Sequence, residues 1–256
     1  MRQLVKQSGH SRAFLYRIID YWLARPPKES TSSLMDMKHV IIDGTFLHRP
    51  KSIVVLMDGT ANAVIAGKYD VRENSKAELL RFFEPLVERG LDPVSFTVDG
   101  NPQVIAVIQQ LWPRALIQRC LIHVQRQGLM WCRRHPYRTD AKKLREIFLL
   151  ACNVRTKDDR TRFLTQVADW EAQYGARIDS RIERGKVFSD IKRARSMLLK
   201  ALPFMFYYLE DQAIPFSTNG LEGYFSRLKA RYRSHRGLKE NKRNNYFSWY
   251  LETCRK

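Results

Sequence analysis

The feature that most constrains the fold is the order of strand-like and helix-like segments after residue 37. Three β-rich runs come first, and a helix, a fourth strand, a second helix and a short fifth strand follow. The segments are predicted at residues 38–45, 52–57, 63–68, 76–89, 93–98, 103–111 and 115–118. This order predicts an α/β fold with a mixed five-stranded sheet, in which strands two and three form a hairpin. It is the order found in ribonuclease H-like folds.

The chain then changes character and becomes helical from residue 125 to about residue 208. Breaks are expected at Gly175, Gly185 and Pro203, and strand signals are lacking there. We therefore predict a core in two parts, interrupted by an all-helical insertion. The first core part spans residues 37–124, the insertion residues 125–215, and the second core part residues 216–256 with a last helix that begins near Asn219.

Residues 1–27 are predicted to form a small separate unit, joined to the core by a linker at residues 28–36. Two short helices flank a turn at Gly9, and the second helix carries Arg12 and Arg17. A helix, a glycine turn and a basic helix fit the second half of a DNA-binding helix-turn-helix, with an ordinary helical hairpin as the alternative.

Three acidic residues occupy positions that suggest a shared site. Asp43 lies near the end of strand one, Asp99 at the end of strand four, and Glu222 on the late helix. Side chains at the carboxyl ends of neighbouring parallel strands converge, so the two aspartates would face one point. Three clustered carboxylates repel one another and need cations, and their oxygen atoms suit Mg²⁺ or Mn²⁺. Two such ions can promote attack on a phosphodiester.

Each acid also has a structural interpretation. The Asp-Gly pairs at Asp43 and Asp99 are typical of turns that end strands. Glu222 could be an acidic residue near the N-terminus of its helix that the helix dipole stabilises. A third pair, at Asp58, is interpreted only as the hairpin turn. The three acids taken together, in this element order and in a basic chain, favour the metal site.

The charge balance points to a polyanionic partner. The chain has 45 Lys and Arg against 26 Asp and Glu, a formal net charge of +19 and a pI near 10.0. Nucleic acid is the first candidate for that partner and an anionic membrane surface is the second. The membrane is excluded because no apolar run approaches transmembrane length. The basic residues crowd one late stretch and could face phosphates or solvent. They are Arg227, Lys229, Arg231, Arg233, Arg236, Lys239, Lys242 and Arg243.

The four cysteines do not form a disulfide framework, which predicts a reducing, intracellular compartment. With the basic charge, this predicts a cytoplasmic protein associated with the nucleoid.

Four motifs together resemble the DDE transposases of bacterial insertion sequences, and most closely the Mutator-like group. They are VIIDGTF around Asp43, FTVDGNP around Asp99, RCLIH with Cys120 and His123, and STNGLEGYFSRLKARYRSHRGL around Glu222. The resemblance covers about residues 36–245. It implies a ribonuclease H-like fold, metal ligation by the three acids, and DNA hydrolysis and transesterification at transposon ends.

The resemblance leaves several roles open. Cys120 and His123 could be half of a zinc site completed by Cys132 or His135, or His123 could position DNA or bond near the acids while Cys120 packs. Asn219 is expected to cap its helix or to touch phosphate.

The expected partners are transposon-end and target DNA, bound by a homo-oligomer. Because the chain opens on the second half of a helix-turn-helix, recognition of transposon ends is expected to be incomplete. The alternatives are a truncated or domesticated transposase that binds DNA without cutting it, or another ribonuclease H-like nuclease. A domesticated protein would signal itself by loss of an acid, and all three are present.

Overall fold

The computed structural model describes residues 1–28, 30–179 and 185–255, which form a five-stranded sheet and ten α-helices. The strands are β1 (His39–His48), β2 (Lys51–Asp58), β3 (Ala63–Val71), β4 (Ser95–Val98) and β5 (Leu116–Arg119). The helices are α1 (Arg2–Ser8), α2 (Arg12–Leu23), α3 (Lys76–Glu88), α4 (Pro102–Leu111), α5 (Leu121–Cys132), α6 (Thr139–Ala151), α7 (Lys157–Asp179), α8 (Lys186–Ala201), α9 (Asn219–Tyr232) and α10 (Glu240–Thr253). The predicted α/β class is confirmed.

The sheet is mixed, as predicted, with the strand order β3-β2-β1-β4-β5. The first three strands form an antiparallel meander, whereas β4 and β5 run parallel to β1. Asp58 ends β2, and its carboxylate accepts the backbone N–H of Thr60 at 2.8 Å, which closes the hairpin turn. A helix precedes each of the two parallel strands, because a parallel pair needs a crossover connection.

Helices cover both faces of the sheet. Along β1, side chains alternate between the faces, so Val40 and Ile42 pack with α3 and α4, while Ile41 packs with α9 and α10. Asp43 follows Ile41 by two residues and therefore points toward the α9 side. The helix α10 was not predicted, and it packs on β3 through the rings of Phe247 and Tyr69, whose centroids are 4.5 Å apart.

Helices α5 to α8 enclose a hydrophobic cluster of their own, with Phe148 and Phe163 fully buried. Two sequence predictions need correction here. Gly175 does not break the helix, because it lies buried inside α7. The boundary at residues 124 and 125 falls within α5, which begins at Leu121 and continues from the sheet into the helical part.

The N-terminal pair α1 and α2 turns at Gly9, where φ is +68°, and the hydroxyl of Ser11 caps α2 by accepting the N–H of Phe14 at 3.2 Å. This pair rests on α10, since the rings of Trp22 and Trp249 meet edge to face at 5.2 Å. The described segment is thus a helical pair joined by a tight turn, and its role as a DNA-binding helix-turn-helix stays a prediction. No described helix is both long and apolar enough to cross a membrane.

Candidate active site

Two of the three predicted acids are close in the sheet: Asp43 lies in the middle of β1, not near its end as predicted, and Asp99 directly follows β4. In the parallel pairing of β1 with β4, Ile41 stands opposite Thr97, and two further residues along each strand lead to Asp43 and Asp99. Thr97 points to the same side of the sheet as Ile41, since its hydroxyl donates to the carbonyl oxygen of Pro215, just before α9. Both aspartates therefore lie at the carboxyl end of β4, beside the start of α9.

Each aspartate is held by a local hydrogen bond. The Asp43 carboxylate accepts the N–H of Gly44 at 2.8 Å, and the Asp99 carboxylate accepts the N–H of Asn101 at 2.8 Å. Asn101 in turn caps α4 through the N–H of Gln103. The turn interpretation of Asp99 is thus correct, and it leaves the second carboxylate oxygen of Asp99 for other partners.

The surroundings of Asp43 disfavour its negative charge. Burial raises the pKa of Asp43 to about 6; the charge of His123 opposes the shift, and the charge of Asp99 adds to it. Asp43 is 9% exposed, so water screens the repulsion between the two carboxylates weakly. A cation at this point would relieve that repulsion.

Thr218, which sequence reasoning missed, connects the site. Its hydroxyl lies 3.3 Å from the Asp43 carboxylate, 3.3 Å from Nδ1 of His123 and 3.6 Å from the sulfur of Cys120. The hydroxyl has one proton, so it donates to only one of these groups at a time, and it accepts from His123 when Nδ1 of the imidazole carries a proton. Asn219 is not the cap that we expected: Thr218 occupies that position, and Asn219 is exposed in the first turn of α9.

Cys120 and His123 lie one turn apart at the start of α5, and each shifts the pKa of the other. The hydrogen bond with Cys120 raises the pKa of His123 to about 9, and the carboxylates of Asp43 and Asp99 act in the same direction. Burial acts to raise the pKa of Cys120, but the hydrogen bond and charge of His123 outweigh it and leave that pKa lowered. The positively charged form of His123 is therefore favoured beside the two aspartates.

Glu222 lies in the first turn of α9, where its N–H bonds to the carbonyl oxygen of Thr218 at 3.2 Å. It is therefore one helical turn from the hydroxyl that contacts Asp43. Its carboxylate, however, is paired with Arg126 of α5 at 2.9 Å and 3.3 Å. Among the residues that the structure describes, no three His, Cys, Asp or Glu side chains form a complete metal site.

The donor chemistry of these acids fits a hard divalent cation. Asp43 and Asp99 offer carboxylate oxygens, which Mg²⁺ and Mn²⁺ prefer, and their mutual repulsion contributes to the raised pKa of Asp43. Zinc fits less well, since Cys132 lies in the hydrophobic cluster of the helical part and no group of three His, Cys, Asp or Glu side chains forms around Cys120 and His123 among the described residues.

A family model for transposases of the Mutator family matches residues 51–242, well over half of the chain. The chain belongs to this family. The match takes in Asp99, Glu222 and the whole helical part, and it begins after Asp43. No curated protein matches the chain.

Two further charged residues of this transposase adjoin the acids without any clear signal in the sequence. Arg119, 8% exposed at the end of β5, donates to the carbonyl oxygen of Asp99 at 3.0 Å, and its guanidinium fills the space where a side chain at Gly100 would go. Gly100 has a φ of +105°, so glycine is needed there for both conformation and space. The carboxylate of Glu73 similarly packs against Gly44, and burial raises the pKa of Glu73.

The basic residues proposed to bind DNA differ in how exposed they are in the transposase. Arg227, Arg231, Arg233, Arg236 and Lys239 are exposed along the outer side of α9 and the turn that follows it. Lys229 is half-buried. Lys242 pairs with Asp20 at 2.6 Å, and the side chain of Arg243 is 17% exposed beside Glu240. Arg12 and Arg17 are exposed on α2, where they contact the rings of Tyr16 and Phe14.

Proposed function

We propose that this transposase cuts and joins DNA strands with Mg²⁺ or Mn²⁺ held by Asp43, Asp99 and Glu222, in a catalytic domain of ribonuclease H-like fold. The observation that carries the proposal is the parallel register of β1 and β4, which ends at the pair Ile41 and Thr97, two residues before Asp43 and Asp99. The strand order β3-β2-β1-β4-β5, with helices on both faces, supports the fold assignment.

Burial raises the pKa of Asp43 to about 6, and the charge of Asp99 adds to the shift, so a cation beside the two carboxylates would favour their charged forms. Glu222 is the third donor of the proposed site because α9 begins beside Asp43 and carries Glu222 in its first turn. Held by Asp43, Asp99 and Glu222, divalent cations would supply activation of the attacking oxygen and stabilisation of the leaving oxygen of a phosphodiester.

The chain's own residues keep these donors in place. Thr218 hydrogen-bonds the Asp43 carboxylate from the start of α9, and protonated His123 supports its negative charge. Arg119 fixes the backbone of Asp99 through the carbonyl oxygen. Each of these groups is at least half-buried, so the donors are set before DNA arrives, which lowers the cost of ordering them during the reaction.

DNA binding is assigned to the basic face formed by α9 and the following turn. Arg227 and Arg231 of that face lie on α9, the helix that carries Glu222, and its other exposed members lie in the turn that follows, so DNA bound along α9 would pass the proposed metal site. Arg12 and Arg17 of α2 are a second contact in this proposal. Because a transposon has two ends, we expect a homo-oligomer to act on DNA.

DNA binding without cleavage is the second candidate function. The observation in its favour is the pairing of Glu222 with Arg126, which keeps the third carboxylate from forming a complete metal site in the described chain. In a protein that had lost strand cutting, this pairing would be permanent.

The two candidates differ in one assay. An end-labelled DNA fragment that spans the gene and its flanking sequence is incubated with the protein and Mg²⁺, Mn²⁺ or a chelator. The proposal predicts cuts at discrete positions that require a divalent cation. Retention of the fragment without any cut, in either metal, would favour the DNA-binding protein.

A further inference from the structure

The ion pair between Arg126 and Glu222 joins the helical part of the chain to the start of α9. Nη1 of Arg126 lies 2.9 Å from Oε1 of Glu222, and Nη2 lies 3.3 Å from Oε2. The guanidinium thus occupies both carboxylate oxygens. These are the atoms that would ligate a cation, so Arg126 and the cation compete for Glu222.

Every acid of the proposed site has a cationic neighbour. The charge of His123 acts on Asp43, the charge of Arg119 acts on Asp99, and Arg126 pairs with Glu222.

Arg126 differs from the other two cations in its freedom to move. Arg119 is 8% exposed and fixed by the carbonyl of Asp99, and His123 is held between Cys120 and Thr218. The side chain of Arg126 is 61% exposed. An exposed ion pair of this kind is weak, so Arg126 can release Glu222 at little cost.

We infer that Arg126 is a phosphate-binding residue of the site, which holds Glu222 in the metal-free protein and transfers to a DNA phosphate when Glu222 takes up the cation. This inference rests on the proposed function. Once released, the guanidinium remains anchored on α5, three residues from His123, and lacks its carboxylate partner. A phosphate group of the substrate supplies two oxygens at the spacing that a guanidinium binds.

The inference predicts opposite effects of one substitution on two measurements. Arg126→Gln removes the competitor of the cation, so the protein without DNA should bind Mn²⁺ more tightly, by about two- to fivefold as expected for an exposed pair. Strand cleavage at saturating Mn²⁺ should fall at least tenfold, because glutamine cannot bind the phosphate as the guanidinium does. A purely structural role would lower both quantities or neither.

The experiment measures Mn²⁺ binding by titration in the absence of DNA, and cleavage of the end-labelled fragment at saturating Mn²⁺. Arg126→Lys keeps a charge without the paired geometry and should restore part of the cleavage. The matched control is Arg114→Gln, which breaks another exposed ion pair, with Asp92 at 3.1 Å before the amino ends of β4 and β5. It should change neither measurement.

The outcomes separate this inference from the function on which it rests. If Glu222→Gln leaves Mn²⁺ binding unchanged, Glu222 is not a metal ligand and the proposed site is wrong. If Glu222→Gln weakens Mn²⁺ binding while Arg126→Gln changes neither measurement, or lowers both, only the role of Arg126 is overturned.

Discussion

The charge of Asp43 is costly in the metal-free protein, and this cost depends on pH. Its pKa is raised by burial from an ordinary value of 3.8 to about 6 in the folded state. A raised carboxyl pKa favours the folded state at low pH, and that advantage is lost as the pH rises from about 4 to about 6. Above pH 6 the buried negative charge therefore destabilises the fold.

Asp43→Asn should consequently stabilise the metal-free protein at pH 7.5, by on the order of 1–3 kcal/mol, and have a clearly smaller effect near pH 4.5. Asparagine keeps an oxygen that can accept the N–H of Gly44. Urea unfolding in the presence of a chelator at both pH values measures the difference. Equal stability of variant and wild type at pH 7.5 would contradict the burial cost assigned to Asp43.

Stabilisation of the fold by a bound cation should also depend on the protonation of Asp43, but it should increase as the pH rises. A cation must displace the proton of Asp43 below pH 6, so stabilisation of the fold by Mn²⁺ should be larger at pH 7.5 than at pH 5. The shift of the thermal unfolding midpoint on addition of Mn²⁺ measures this, with Asp43→Asn as the control that removes the charge. A larger shift at pH 5 would show that Asp43 is not a ligand.

Helices α5 and α6 pack in close contact at Gly128, where there is no room for a side chain. A Cβ at Gly128 of α5 would collide with the ring of Phe148 on α6, which is fully buried. Gly128→Ala should therefore lower the free energy of unfolding by about 1–3 kcal/mol, despite the better helix propensity of alanine.

Urea unfolding measures that loss, and Gly237→Ala is the control. A Cβ at Gly237 would meet nothing within 4 Å, so its effect should stay within about 0.5 kcal/mol of zero. If both variants unfold like wild type, α5 and α6 do not pack as closely as the described contact implies.

The elements that could be predicted from sequence are those with a local signal. The runs that became β1, β2 and β3 are rich in β-branched residues, and Asp58-Gly59 marks their hairpin. The helix α10 was missed although its buried residues, Phe247, Tyr250 and Leu251, have the i, i+3, i+4 spacing of a helix face, because the basic residues just before them drew the interpretation to a charged surface. Gly175 suggested a break, but the surrounding helix overrides one glycine.

The same reasoning explains which parts of the site were missed. Asp43 and Asp99 stood out because each lies near or at the end of a strand-like run and precedes glycine, although Asp43 proves to lie in the middle of β1. Thr218, Arg119 and Arg126 carry no such local pattern. Their contacts with the acids join segments 20 to 175 residues apart, which only the folded chain brings together.

The whole molecule carries a formal net charge of +19, so its affinity for DNA should fall steeply with salt. Replacing Arg231, Arg233 and Arg236 by alanine should reduce the slope of log affinity against log salt by about 0.9 for each phosphate that is no longer neutralised. Binding titrations across a salt series measure the slope.

A control with the same change in net charge is available on the helical part. Lys157, Arg162 and Arg193 are exposed on α7 and α8, and their replacement should leave the slope closer to that of wild type. If the control flattens the slope and the first triple variant does not, DNA follows the helical part and not the basic face of α9.

The central claim is that three carboxylates of this molecule act as one metal-binding unit that cuts DNA. The most direct test compares cleavage and binding of the end-labelled fragment by wild type, Asp43→Asn, Asp99→Asn and Glu222→Gln, with Asp58→Asn as the matched acid-to-amide control at the hairpin turn. We predict that each variant of the three acids still binds DNA but loses cleavage by several orders of magnitude, that combining two of them adds little, and that Asp58→Asn cleaves like wild type. Cleavage that survives Glu222→Gln and disappears with Asp58→Asn would contradict the assignment of the acids.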